Sequence, residues 1–270
     1  MRTESTVVAE LCFGSQPLIV SLPHVGTLLP ADIASQMTPA ASSLADTDWH
    51  VDRLYEFARG TGVSWLQARI SRYAIDVNRP PDDHSLYPGR STSGLCPTLS
   101  FAGDPLYARS GPSVEEIATR RERYWVPYHA MLRELIESTR ARHGYALLLD
   151  AHSIRSELPR LFEGRLPDIN VGTNDGRSCA PGLSTRLMAV LGEQDRFSHV
   201  LNGRFKGGYI TRTYGNPLEN VHAVQLELAQ ATYMNEARPE YDPSHAQPLQ
   251  SVLRLLVAEM QRFRPVAQPA

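Results

Sequence analysis

A chain of 270 residues, 42% of them hydrophobic, can bury one large core. Its 27 basic and 29 acidic side chains leave a formal charge of −2, which argues against the basic footprint of a nucleic-acid binder. No apolar run approaches the roughly 20 residues needed to cross a bilayer, and the charged start Met1-Arg-Thr-Glu has no apolar segment of the kind a signal peptide carries.

The first expected strand is Leu18–Leu22, which ends in Pro23-His24. A helical stripe of Val51, Leu54, Tyr55 and Phe57 predicts a helix over Asp48–Arg59. Strands are expected at Ser64–Ala68 and Ala74–Val77. Pro80–Pro112 is rich in Pro, Gly, Ser and Asp without periodicity, and is expected to be a lid or pocket wall. Ser113-Val-Glu-Glu116 reads as a capping box opening a helix to about His143, kinked at Pro127. Further strands are expected at Ala146–Asp150, Asp168–Val171, Gly208–Thr211 and Ala223–Leu228. Helices are expected at Gly182–Leu191 and Leu249–Phe263, with a frayed tail at Pro265–Ala270. Alternating strands and helices predict a parallel or mixed sheet covered on both faces, in one domain over residues 1–270. Cys12, Cys96 and Cys179 make no CxxC pair or disulfide framework, which fits a reducing cytoplasm.

Chemistry-bearing residues gather where these strands end, the place where open α/β sheets bind ligands. His24 follows one apolar run and His152 another, Tyr145-Ala-Leu-Leu-Leu-Asp-Ala-His. His24 alone reads as well as a loop histidine satisfied by backbone groups, and His152 alone could be half of a structural Asp-His pair at a strand terminus; together they point to a metal. Asp150, two residues before His152, can support the site from behind. A catalytic zinc usually takes three protein ligands, and the third is sought in Asp46-Thr-Asp-Trp-His-Val-Asp52: Asp48 first, then Asp52, with His50 a neighbour. Helix-start carboxylates also favour the helix dipole, which accounts for at least one of them. Glu227 shares a strand face with Gln225, either as a solvent-facing residue of an edge strand or as a general base. Arg72, Arg79 and Arg212 are the anion-binding candidates, with Asn78 beside Arg79. Ser153 lacks a GxSxG elbow, which counts against a serine hydrolase.

Seven blocks occur in order over residues 17 to 234. They are Ser-Leu-Pro-His-Val-Gly, Asp-Thr-Asp-Trp-His-Val-Asp-Arg-Leu-Tyr, Ser-Arg-Tyr-Ala-Ile-Asp-Val-Asn-Arg-Pro, Leu-Leu-Asp-Ala-His-Ser, Leu-Pro-Asp-Ile-Asn-Val-Gly-Thr, Phe-Lys-Gly-Gly-Tyr-Ile-Thr-Arg and Val-Gln-Leu-Glu-Leu. Together they resemble the N-formylglutamate amidohydrolase (deformylase) family, which is similar to zinc carboxypeptidases and aspartoacylases. The resemblance implies a three-layer α/β/α fold with a mixed central sheet, of zinc-exopeptidase type. It implies Zn2+, or another divalent metal, on His24 and His152. Thr27 stands where the relatives' His-x-x-Glu motif has its glutamate, so Asp48 is taken as the third ligand. Glu227 is implied as the base and Asn78-Arg79 as the grip on a substrate carboxylate. The expected reaction is hydrolysis of N-formyl-L-glutamate to formate and L-glutamate, in histidine degradation. Arg72 is expected to help stabilise the oxyanion and Arg212 to hold the second carboxylate. The expected partner is this small molecule, with no nucleic acid and no membrane. The alternatives are a zinc deacylase or carboxypeptidase for another N-acyl acidic amino acid, and a non-catalytic binder of acidic amino acids.

Overall fold

The computed structural model describes residues 2–5, 7–86, 89 and 92–265. Eight strands form one sheet: β1 (Arg2–Ser5), β2 (Ala9–Phe13), β3 (Leu18–Leu22), β4 (Ser64–Ala68), β5 (Ala146–Ile154), β6 (Ile169–Gly172), β7 (His199–Leu201) and β8 (Val221–Ala229). Their order is β1-β2-β4-β3-β5-β8-β6-β7. The centre, β4-β3-β5-β8, is parallel, whereas β2 and β6 run antiparallel to β4 and β8.

Alternation along the strands sets the layers. Leu18, Val20 and Leu22 of β3, Leu147 and Leu149 of β5, and Val224, Leu226 and Leu228 of β8 face one side. There they pack on α2 (Val51–Arg59), α5 (Pro181–Gly192) and α7 (Pro243–Arg262). Ile19, Leu148 and Ala223, in the opposite phase, meet Tyr128, Leu132 and Leu135 of α4 (Val126–His143) on the other side. The result is the expected three-layer α/β/α arrangement with a mixed sheet. Each fully buried leucine contributes about 1.5–3 kcal/mol, so the sheet centre is strongly held. The α4-side phase continues through Asp150 and His152 on β5 and through Gln225 and Glu227 on β8, all buried. The stable core thus ends in a polar cluster at the carboxyl ends of its parallel strands.

Several elements depart from expectation. Ala74–Val77 is no strand. Its backbone groups are satisfied by side chains and turns instead: Arg120 donates to the Ala74 carbonyl, His129 to that of Val77, and the Asp76 N–H donates to Leu95. Gly208–Thr211 opens a helix, α6 (Tyr209–Tyr214), despite its β-branched residues; tertiary hydrogen bonds described below override strand propensity. β5 runs four residues beyond Asp150, so His152 lies within the strand. The helix expected from Leu249 begins at Pro243, behind an Asp242 cap, and carries Pro248 inside it. The helix expected from Asp48 begins at Val51, after His50 in a left-handed conformation (φ 63°).

The capping box forms: Ser113 and Glu116 exchange side-chain and backbone bonds of 3.2 and 2.8 Å at the start of α3 (Val114–Arg120). A π-helical turn, Arg121–Trp125, joins α3 to α4 just before Pro127. The wider turn accommodates a ring that would clash with a regular preceding turn. In the long loop, residues 87, 88, 90 and 91 lie outside the described ones, as does the expected tail beyond residue 265. Among the described residues, no helix is long and apolar enough to cross a membrane.

Candidate metal and active site

Three ligand atoms, one each from His24, Asp48 and His152, all lie within 4.8 Å of one another, and all three residues are buried. His24 follows β3 on a tight turn, and the Asp48 N–H donates to its carbonyl at 3.0 Å, which brings the helix-start segment onto the strand end. Gly26, two residues on, is required where the chain passes the Arg69–Ile70 backbone, because a Cβ would lie 2.4 Å from the Ile70 carbonyl oxygen. His152 pairs in register with Glu227 across β5 and β8, so imidazole and carboxylate stand side by side on one face. β8 is an interior strand, between β5 and β6, so Glu227 is not on a solvent-facing edge.

A partner sets the His24 tautomer. His24 Nε2 lies 2.7 Å from Asp76 Oδ1, an atom that only accepts, so that nitrogen carries the hydrogen and Nδ1 offers its lone pair. His152 Nε2 lies 3.0 Å from the Asn78 amide Nδ2 and 3.1 Å from Asp150 Oδ1, and Nδ1 points inward. The two Nδ1 atoms are 3.1 Å apart, and Asp48 Oδ2 lies 3.0 Å from that of His152 and 3.6 Å from that of His24. Such a convergence of donors could hold a cation. Without metal a proton serves: burial opposes charge on His152, yet Asp150 and Asp48 hold its pKa well above the usual value. Burial likewise opposes ionisation of Asp48, and the hydrogen bond from His152, with the His24 ring beside it, outweighs it. Asp48 Oδ1 is buried without a hydrogen-bond partner. Two imidazoles and one carboxylate are a donor set that suits zinc, and binding would displace the proton.

Supporting groups surround these three. Arg72 donates to Asp76 Oδ2 at 2.7 Å and to the Asp46 carbonyl at 3.3 Å, approaches Asp48 Oδ1 at 3.7 Å, and lies over the Phe101 ring. Burial opposes ionisation of Asp76, but His24, Arg72 and Arg79 hold its pKa well below the ordinary range. Thr211 of α6 donates to Asp150 Oδ2 at 3.0 Å. From the same segment, the Ile210 N–H donates to Asn78 Oδ1 and the Gly208 N–H to Gln225 Oε1. A Cβ at Gly208 would lie 2.4 Å from the Asn78 amide. Gln225 in turn donates to Glu227 Oε2 at 3.0 Å. Asn78 and Arg79 are held from beneath as well. His129 donates from Nε2 to the Val77 carbonyl and accepts the Tyr214 hydroxyl, while Trp125, on the π-turn, donates to the Arg79 carbonyl. Burial pushes the His129 pKa down to about 3, so it remains a neutral clamp.

The cluster opens into a cavity lined by His24, His152, Arg72, Arg79 and Glu227 among others. Ser93 and Phe101 bring the long loop to its wall, and Arg79 donates to Ser93 through Nε and Nη2. Arg212 does not line the cavity; it sits on α6 with Nε bonded to the Gly207 carbonyl. Arg204 lines it instead. Asp52 lies in the first turn of α2, with its carboxylate beside Gln67 and the Arg53 N–H. Asp76, Gln225, Thr211 and Arg204 had not been singled out from sequence. Asp76 had a signal, a carboxylate two residues before the Asn-Arg pair, whereas the other three look like ordinary polar positions.

The profile of the N-formylglutamate amidohydrolase family matches residues 16–234. The chain belongs to that family. It is 51% identical over 246 residues to the N-formylglutamate deformylase of Pseudomonas putida, covering 90% of this chain and 92% of the relative. To the N-formylglutamate deformylase of Pseudomonas aeruginosa it is 50% identical over 249 residues, covering 92% and 93%. The solved N-formylglutamate amidohydrolase from Ralstonia eutropha JMP134 matches with a TM-score of 0.81 at 30% identity, over 95% of this chain and 97% of that one. The buried carboxylate of Glu227, which lines the cavity beside His24 and His152, is the group to test first.

Burial raises the pKa of Glu227 to about 7; Asp48 and Asp150 add to the rise, and His152 and Arg72 oppose it. A raised folded-state pKa means that the carboxyl favours folding while protonated. That contribution is complete below the ordinary value of 4.5 and is lost as pH climbs through about 7. The interval corresponds to about 3 kcal/mol. Metal-free Glu227→Gln protein should therefore gain about this much over metal-free parent between pH 4 and pH 8. Urea unfolding of both proteins at the two pH values checks it, and a pH-independent difference would show that the carboxyl is not perturbed.

Proposed function

We propose that this chain hydrolyses N-formyl-L-glutamate to formate and L-glutamate with a divalent cation, zinc before others, held by His24, Asp48 and His152. The observation that carries the reading is the convergence of those three ligand atoms beside the buried Glu227 in one cavity. Two relatives at about half identity, both N-formylglutamate deformylases, support the substrate. When bound, the ion supplies Lewis acidity and makes water acidic enough to lose a proton near neutral pH.

Glu227 takes the proton of the water that adds to the formyl carbon. It returns that proton to the nitrogen as the C–N bond breaks, leaving formate and the amino group of glutamate. Arg72, fixed by Asp76 and the Asp46 carbonyl, faces the charge that develops on the formyl oxygen. Arg79 grips one substrate carboxylate, with the Asn78 amide orienting it. Asp76 keeps the His24 imidazole in the ligating tautomer. The setting this reading assigns is histidine breakdown in the cytoplasm.

The test is formate release from N-formylglutamate by protein stripped with a chelator and then reconstituted. Activity should vanish on stripping and return with one equivalent of zinc. Full turnover by the stripped protein would remove the metal from the reading, and release confined to other acyl groups would remove the substrate. Iron or cobalt share such ligands, so reconstitution with each of them ranks the metals.

A further inference from the structure

We propose that Gln225 is the positioning residue of the base: its amide, held by the Gly208 N–H, donates to one oxygen of Glu227 and leaves the other to meet the water proton. This rests on the function proposed above. Gln225 and Glu227 stand two residues apart on β8 and share a face, and both are buried and line the cavity. Among the described residues, Gln225 is the only hydrogen-bond partner of the Glu227 carboxylate, with Nε2 3.0 Å from Oε2. A carboxylate turns easily about its last torsion. A general base must instead present one oxygen within about 2.6–3.2 Å of the proton's parent atom. A fixed donor on Oε2 gives Oε1 that defined place.

The amide is itself fixed. The Gly208 N–H, which can only donate, bonds Gln225 Oε1 at 2.7 Å, so Nε2 is the atom that faces Glu227. The opposite amide orientation would set N–H against N–H and carbonyl against carboxylate. Bare backbone delivers the Gly208 N–H. Gly172 on β6 pairs in register with Gln225, and a Cβ on it would lie 2.7 Å from the Gly207 nitrogen, so the segment entering α6 lies directly on the sheet there. Two residues on, the same segment orients a second amide. The Ile210 N–H takes Asn78 Oδ1 at 2.8 Å, and Asn78 Nδ2 is turned to His152 Nε2 at 3.0 Å. One stretch of backbone thus aims two amide nitrogens at the site, one of them at the base. Anchoring α6 needs only the oxygen of Gln225; its nitrogen is placed for Glu227.

The experiment measures kcat and KM for N-formyl-L-glutamate, and zinc per chain, in zinc-loaded parent, Gln225→Met, Gln225→Glu, Glu227→Gln and the double variant Gln225→Met with Glu227→Gln. Gln225→Met should keep its zinc and its KM and lose about 10–100-fold in kcat, the cost of loosening a supporting group. Gln225→Glu restores an acceptor for the Gly208 N–H but sets a like charge against Glu227 where a donor stood, so kcat should not recover. Where Glu227→Gln has already removed the base, Gln225→Met should cost less than about twofold more, because residues that act as a unit are not additive. A parental kcat in either single variant at position 225, or the full Gln225→Met loss repeated on top of Glu227→Gln, would show that Gln225 only holds α6. Either result overturns the assignment and leaves the proposed reaction standing. Should Gln225→Met fail to fold, as absent zinc and a lost cooperative urea transition would show, Gln225→Glu decides alone. If the parent releases no formate from N-formyl-L-glutamate, the proposed reaction itself falls, and this assignment with it.

Discussion

Glu227→Gln protein is expected to keep its metal and lose about 10²–10⁴-fold in kcat. Glutamine has nearly the volume of glutamate, and its carbonyl can still accept the Gln225 amide that now bonds Glu227 Oε2 at 3.0 Å. The cavity wall therefore stays in place. Glu227 is not one of the three grouped ligand residues, so metal content should remain at the parent's level. What the amide cannot do is take a proton from water and give it to the leaving nitrogen. Elemental analysis beside single-turnover formate release separates the two effects. A near-parental kcat would remove Glu227 as the base. Ser153 is no replacement nucleophile: its hydroxyl accepts from Tyr233 at 2.8 Å and from Gln230 at 3.3 Å, and among the described residues no histidine bonds it to activate it.

The parts of the fold that could be read from sequence are those where burial leaves a continuous apolar run. β3, β5 and β8 are buried at every position, so their Leu- and Val-rich stretches stand out. β7 has only three residues, none of them buried, and carries no such signal. Ala74–Val77 and Gly208–Thr211 failed for a shared reason. Both look β-prone, but both spend their backbone groups on the site: one receives Arg120 and His129, the other donates to Asn78 and Gln225. Propensity says nothing of such long-range partners.

The same contrast runs through the site. His24, His152 and Glu227 were legible because strand ends and alternation locate them. Arg212 attracted notice for its glycine-rich surroundings, yet there Gly208 serves a close backbone approach to Asn78, whose Oδ1 accepts the Ile210 N–H. Arg204 gave no local sign, because a single arginine on a short edge segment looks like a solvated charge. Only the folded chain shows it at the cavity wall.

Asp48→Ala protein is expected to lose its metal, whereas Asp52→Ala should keep it. The two residues stand one helical turn apart in sequence, and a carboxylate at either is favoured by the start of α2. Geometry separates them. Asp48 Oδ2 reaches both Nδ1 atoms, at 3.0 and 3.6 Å, and its other oxygen faces Arg72. Removing it deletes a ligand and leaves two imidazoles, so affinity should fall well beyond the roughly 10–100-fold seen when only a supporting group is lost. Asp48→Asn, closer in shape, should fall in the same direction, since the neutral amide cannot balance the ion's charge. Asp52 bonds the Arg53 N–H at 2.9 Å and Gln67 at 3.4 Å. Its loss should cost about 0.3–1 kcal/mol of stability through the helix start, with full metal content. Metal per chain after dialysis, measured beside formate release, decides between them. Stoichiometric metal in Asp48→Ala, or its absence from a folded Asp52→Ala, would move the third ligand away from Asp48. In that event the convergence of two imidazoles on a buried carboxylate would need another explanation.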